Sequence, residues 1–99
     1  MTRECHGLLK AAGTPDDPAR VINTSSVAGL GVTEAWVIAY AASKSAVNHI
    51  TRILARHLGN DNIAVNAIAP GMFPTKMSQV SLFELFLISD HARILIIRN

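Results

Sequence analysis

From Ala35 to about Leu58 the chain has neither glycine nor proline, and Val47, Ile50, Leu54 and Leu58 recur at steps of three and four. That spacing predicts one long amphipathic helix. It should end at "GND", where Gly59 can take the left-handed conformation that closes a helix. The flanking stretches differ in kind. "RVINTSS", with β-branched Val21 and Ile22, predicts a short strand ending near Ser25, and "NIAVNAIAP" predicts a second, ended by Pro70. Strand, long helix, strand is a βαβ unit, in which a right-handed crossover joins two parallel strands. The expected fold class is therefore α/β, with helices covering a parallel sheet.

Upstream, "CHGLLKAAG" predicts a short helix, and Gly13, Pro15 and Pro18 with two aspartates make residues 13–19 a loop. The tail "SQVSLFELFLISDHARILIIRN" reads as a short amphipathic helix and then a strand. With 99 residues, 49% of them hydrophobic and 16% charged, the chain is one small globular domain. A formal charge of +2 with scattered basic residues lacks the dense stripe that follows a phosphate backbone, so nucleic acid is not an expected partner. The single cysteine, Cys5, and a start without a secretory apolar core point to a reducing, cytoplasmic setting. "LFELFLIS" and "ILII" fall well short of the roughly 20 apolar residues a membrane helix needs, so no membrane partner is expected. A parallel strand pair with open edges, followed by "ILII", predicts marginal stability.

Active groups of open α/β sheets gather beyond the carboxyl ends of the strands. Here those ends are "NTSSVAG" and "NAIAPGMFPT", and the helix between them begins with "AYAASKSAV". Tyr40 and Lys44, at i and i+4, share a helix face where an ammonium can sit beside a phenol. Bringing a phenol from its reference pKa of about 10 to about 7 takes roughly 4 kcal/mol of preferential stabilisation of the anion. One solvated cation at about 4 Å supplies only about 1 kcal/mol. The pair can exchange protons near neutrality only in a pocket that excludes water or adds another positive charge.

Taken singly, each residue has a plainer reading. The serine pair after the strand suits a turn or helix cap, Tyr40 packing or surface, Lys44 a solvated surface, and Pro70 with Gly71 an ordinary turn. His49 and His57 stand about 12 Å apart along a helix axis, too far to grip one metal. Cys5 and His6 have no second pair to complete a zinc site. His49, Arg52 and Arg56 form a solvated basic stripe, and Met72, Phe73 and Met77 could line an apolar mouth.

In combination, "RVINTSSVAG", "YAASK" and "NIAVNAIAPGMFPTKM" resemble the catalytic half of short-chain dehydrogenases/reductases, across roughly residues 5–78. The approach "TPDDPARVIN" is similar to ketoacyl reductases of the type linked to rhamnolipid synthesis. The resemblance implies a partial Rossmann-like, doubly wound fold. It implies an NAD(P)H-dependent interconversion of a small-molecule carbonyl and an alcohol. Ser26 would hydrogen-bond the substrate carbonyl, Tyr40 would pass a proton to the developing alkoxide, and Lys44 would make Tyr40 more acidic while holding the cofactor ribose. Ser25 stays open as the alternative to Ser26. Pro70 and Gly71 would shape the turn under the nicotinamide, Thr75 would contact its carboxamide, and Asn23 and Asn66 would tie loops together.

The family's phosphate-binding T-G-x-x-x-G-x-G turn does not occur in these 99 residues. The resemblance thus implies that the nucleotide-binding half is missing. Residues 1–78 would be the catalytic part of the domain, and 79–99 a divergent tail. Two functions follow as expectations: an NAD(P)-dependent oxidoreductase, or a truncated, non-catalytic remnant acting through its long helix. In the family that helix packs between subunits, which makes homo-oligomer contacts through 35–58, by Val47, Ile50 and Leu54, an expectation as well.

Overall fold

The computed structural model describes residues 1–32 and 37–71 and the backbone of 94–97. Helix α1, Thr2–Ala12, carries Glu4 in its first turn and Lys10 in its last, charges that complement the helix dipole. It stops where the Gly13 N–H bonds the Leu9 carbonyl at 2.9 Å. A tight turn follows, with Thr14 and Asp17 bonded to each other through backbone and hydroxyl. Strand β1, Ala19–Thr24, then leads through a 3₁₀ turn at Val27–Gly29 towards helix α2, Ile38–Leu58, and strand β2, Ile63–Pro70.

β1 and β2 pair in parallel, from Ala19 opposite Ile63 to Thr24 opposite Ile68, so the expected βαβ unit is present. Strand β3, Ile94–Ile97, pairs antiparallel with the other edge of β2 and gives the sheet order β1-β2-β3. The apolar "ILII" thus forms the expected strand, whereas the amphipathic helix expected before it lies outside the described residues. β2 is the centre of the core. Its residues alternate between buried and half-buried, and Ile63, Val65, Ala67 and Ala69 are each at most 1% exposed. Pro70, which has no N–H to give a ladder, falls at the last position of β2.

Three local expectations are corrected. Among the described residues the helix begins at Ile38 rather than Ala35. Gly59 does not turn left-handed: at φ −58° and ψ −37° it continues the helix into a 3₁₀ turn over Gly59–Asp61. Asn62, at φ 56° and ψ 42°, takes the left-handed position instead, a conformation that asparagine tolerates better than most residues. Finally, the innermost positions of α2 are polar. Thr51 is fully buried and Asn48 nearly so, while Ile50 of the predicted apolar stripe is half exposed. The reason is hydrogen bonding across to β1 and its following turn, which satisfies the Thr51 hydroxyl and the Asn48 amide nitrogen and so lowers the cost of burying them.

Candidate active site

The carboxyl end of β1 and the first turns of α2 meet at one place, and polar side chains make the joint. Ser25 and Ser26, directly after β1, are both buried, but their bonding differs. The Ser25 N–H donates to the Ile68 carbonyl at 2.8 Å, extending the β1–β2 ladder by one residue. Its hydroxyl donates to the Lys44 carbonyl on α2 at 3.2 Å. The Ser25 proton is therefore already used in structure. Ser26 instead accepts from the Ala28 N–H at 3.3 Å as cap of the 3₁₀ turn, and its own hydroxyl proton has no acceptor among the described residues. The plain cap reading is correct for Ser26, yet a cap is an acceptor and leaves the donor free.

Lys44 points to the same strand end. Its ammonium donates to the Thr24 carbonyl at 3.0 Å and lies 5.6 Å from the centroid of the Tyr40 ring, one turn earlier on α2. No carboxylate pairs with Lys44 among the described residues. One of its three donors is engaged, and up to two remain for a ligand. The Tyr40 side chain is half exposed. Ser26, Tyr40 and Lys44 are thus drawn from a strand end and a helix start that converge, with one hydroxyl donor, one phenol and one cation that has no carboxylate partner among the described residues. Pro70 closes β2 beside this end and Gly71 follows it, half-buried. Thr75, Met72, Phe73 and Met77 lie outside the described residues.

Two further contacts join strand to helix, and the sequence did not announce them. The Asn23 side-chain amide donates to the Thr51 hydroxyl at 2.9 Å, and that hydroxyl donates in turn to the Val47 carbonyl at 2.8 Å. Asn23 therefore ties β1 to α2 rather than one loop to another. The Gly29 carbonyl accepts from both the Ser45 hydroxyl at 3.0 Å and the Asn48 amide at 2.9 Å. Gly29 itself lies against the helix backbone: a Cβ there would fall 2.6 Å from the Lys44 carbonyl carbon and 2.8 Å from the Ser45 nitrogen. Only glycine permits this approach.

A second polar cluster lies at the opposite end of the molecule. Asp61 accepts from Lys10 at 2.7 Å and pairs with His6 at 2.8 Å, linking α1 to the turn after α2. The hydrogen bond from Lys10, and then that from His6, hold the Asp61 carboxyl below the usual aspartate range. No group of three or more His, Cys, Asp or Glu residues among those described could hold a metal ion. No described helix is long and apolar enough to cross a membrane.

Comparison with known proteins adds a family to this geometry. A family model described as short chain dehydrogenase matches residues 4–83. The chain is 43% identical over 72 residues to the rhamnolipids biosynthesis 3-oxoacyl-(acyl-carrier-protein) reductase of Pseudomonas aeruginosa, covering 73% of this chain and 28% of that protein. It is 40% identical over 76 residues to a tropinone reductase homolog of Datura stramonium, covering 77% of this chain and 26% of that one. Among solved structures, the Pseudomonas aeruginosa RhlG/NADP active-site complex superposes with a TM-score of 0.74 at 38% identity, covering 83% of this chain and 33% of that one. The βαβ unit accordingly has the arrangement of part of a Rossmann-like α/β sheet. The chain spans between a quarter and a third of the length of these relatives.

Proposed function

The chain belongs to the short-chain dehydrogenase family, and from that premise we propose that it carries the proton-transfer side of an NAD(P)-dependent oxidoreductase acting on a small-molecule carbonyl or alcohol. In this reading residues 1–78 are the catalytic part of the domain and 79–99 a divergent tail. The observation that carries it is the Lys44 ammonium, unpaired by any described carboxylate, beside the Tyr40 ring at the strand end that bears Ser26.

The described residues fit one end of a nicotinamide cofactor. Spare Lys44 donors suit ribose hydroxyls, Tyr40 is half exposed beside them, and Pro70 and Gly71 shape the adjoining strand end. The bound nicotinamide would supply a hydride to the carbonyl carbon, or accept one from the corresponding alcohol carbon. Ser26 donates its free proton to the substrate oxygen and orients it. Tyr40 gives that oxygen a proton as negative charge develops there, and Lys44 stabilises the charge left on the phenol. Ser25 is the weaker candidate for the substrate contact because its proton is held by the Lys44 carbonyl. Thr75 remains proposed for the carboxamide contact on the resemblance alone.

A direct test grafts residues 4–71 into the matching segment of the Pseudomonas aeruginosa reductase and follows NADPH-dependent reduction of a 3-oxoacyl thioester. The hybrid should turn over, and Tyr40→Phe should lower kcat by about a hundredfold or more. Unchanged turnover after that substitution would refute the assignment.

One observation favours a second reading, an interaction fragment working through its helix. Ile38, Ile50 and Ile53 are 72%, 50% and 43% exposed on α2. Contact between copies would use Ile50 and Ile53 rather than Val47 and Leu54, which are half-buried. Sedimentation equilibrium of the chain decides it: a monomer at every concentration rules out self-association through this face.

A further inference from the structure

We infer that Asn48 is a positioning residue, which holds the turn carrying Ser26 against the helix backbone at Lys44. The inference rests on the proposed roles of Ser26 and Lys44. Asn48 lies one turn after Lys44 on α2 and is only 4% exposed. Its amide and the Ser45 hydroxyl together fill both lone pairs of the Gly29 carbonyl. Gly29 closes the 3₁₀ turn that Ser26 opens, and its own N–H bonds the Ser26 carbonyl at 3.0 Å. A chain of short contacts therefore runs from Ser26 through Gly29 to Ser45, next to Lys44, and to Asn48, one turn on.

A three-residue 3₁₀ turn is a weak element, with poor hydrogen-bond geometry and few bonds of its own. Left alone it would let the Ser26 hydroxyl wander relative to the ammonium. The glycine that allows contact with the helix has no side chain of its own to anchor that point of the turn, and its carbonyl is held by Asn48 and Ser45. Asn48 gains little overall stability from this arrangement. Its Oδ1 is buried with no hydrogen-bond partner among the described residues, and such an acceptor is costly enough to offset most of what the Nδ2 bond contributes. A leucine of similar size would avoid that cost but could not hold the carbonyl. The effect of Asn48 is thus local geometry rather than stability.

That separation is measurable by native-state amide exchange of the full 99-residue chain, followed residue by residue by NMR. In Asn48→Leu, the Ala28, Gly29 and Leu30 amides, all bonded within the turn, should exchange about tenfold faster or more. The Ser25 amide, bonded to the Ile68 carbonyl in the sheet, should change by less than about threefold. Acceleration of turn and sheet in step would make Asn48 an ordinary stabiliser and overturn the inference, as would an unchanged turn. If Asn48→Leu unfolds the whole chain, Ser45→Ala, which removes the exposed second donor to the same carbonyl, answers the question. A smaller but turn-selective acceleration there supports the clamp, and none overturns it. Exchange needs no turnover, so this experiment fails independently of the hybrid assay that tests the catalytic assignment.

Discussion

The two ends of α2 are fastened to the rest of the protein by different chemistry. Through its first half and middle, mostly neutral and partly buried hydrogen bonds run from Ser25 to Lys44, from Asn48 and Ser45 to Gly29, and from Asn23 to Thr51, beside the exposed bond from the Lys44 ammonium to Thr24. Beyond its end, a partly exposed carboxylate, Asp61, is shared by Lys10 and His6. Directional bonds between neutral, partly buried groups fix relative positions closely and respond little to salt. Exposed ion pairs hold neighbours together loosely and are screened. The end that must place a hydroxyl, a phenol and an ammonium carries the first kind, and the end that needs only to keep α1 nearby carries the second.

The sharpest way to break this contrast is Gly29→Ala. Its Cβ would meet helix backbone at 2.6 Å, which no side-chain rotation relieves. Urea unfolding should show a loss of about 3 kcal/mol, the upper end of the range for overpacking. Less than about 1 kcal/mol would mean that the turn is not held against the helix.

Thr51→Val comes next. It keeps the shape but leaves the Asn23 amide without its acceptor, at a cost of about 1–2 kcal/mol that should be the same at low and high salt. Strong salt dependence would erase the distinction between the two ends.

Asp61→Asn should have the smallest effect, and the effect should vanish in high salt. Its pH dependence follows from the sign of the shift. Lys10 first, and then His6, lower the Asp61 carboxyl in the folded protein, so the contribution is complete above the unfolded value of about 4 and is lost as the pH falls through the lower folded value. Glu4 is lowered in the same direction by its bond to the N-terminal ammonium, so the comparison with Asp61→Asn isolates the share of Asp61. Thermal unfolding of both proteins from neutral pH downward should show their difference closing only below about pH 4. A larger loss from Asp61→Asn than from Thr51→Val at neutral pH would reverse the contrast altogether.

Much of the fold was legible in advance because it is written locally. The helix shows in the absence of glycine and proline, β2 in its β-branched run, and β3 in "ILII". Helix closure was misread because glycine is the usual left-handed residue, whereas here Asn62 takes that role three positions on. The polar inner face of α2 could not be read from periodicity, since Asn48 and Thr51 are stable inside only through partners 19 and 28 residues away. The link from His6 to Asp61 spans 55 residues and has no local signature. Within the site, the order of the motifs named Ser26, Tyr40 and Lys44 and left Ser25 as the alternative to Ser26, while the bond from the Ser25 hydroxyl to the Lys44 carbonyl, 19 residues away, had no local signature. Exposed Ile50 taught the same lesson from the other side, since a period of three or four marks a stripe without saying which of its members faces the sheet.

Because Tyr40 is the only tyrosine in the chain, its ring protons can be assigned without ambiguity. A NOESY spectrum of the protein should therefore show cross-peaks from that ring to the Lys44 methylenes, and from the end of the Lys44 side chain to Thr24 and Ser25. That pattern places phenol and ammonium together at the tip of β1. A Tyr40 ring with no cross-peak to Lys44, or a Lys44 side chain with none to the β1 tip, would contradict the assembly on which the proposed chemistry depends.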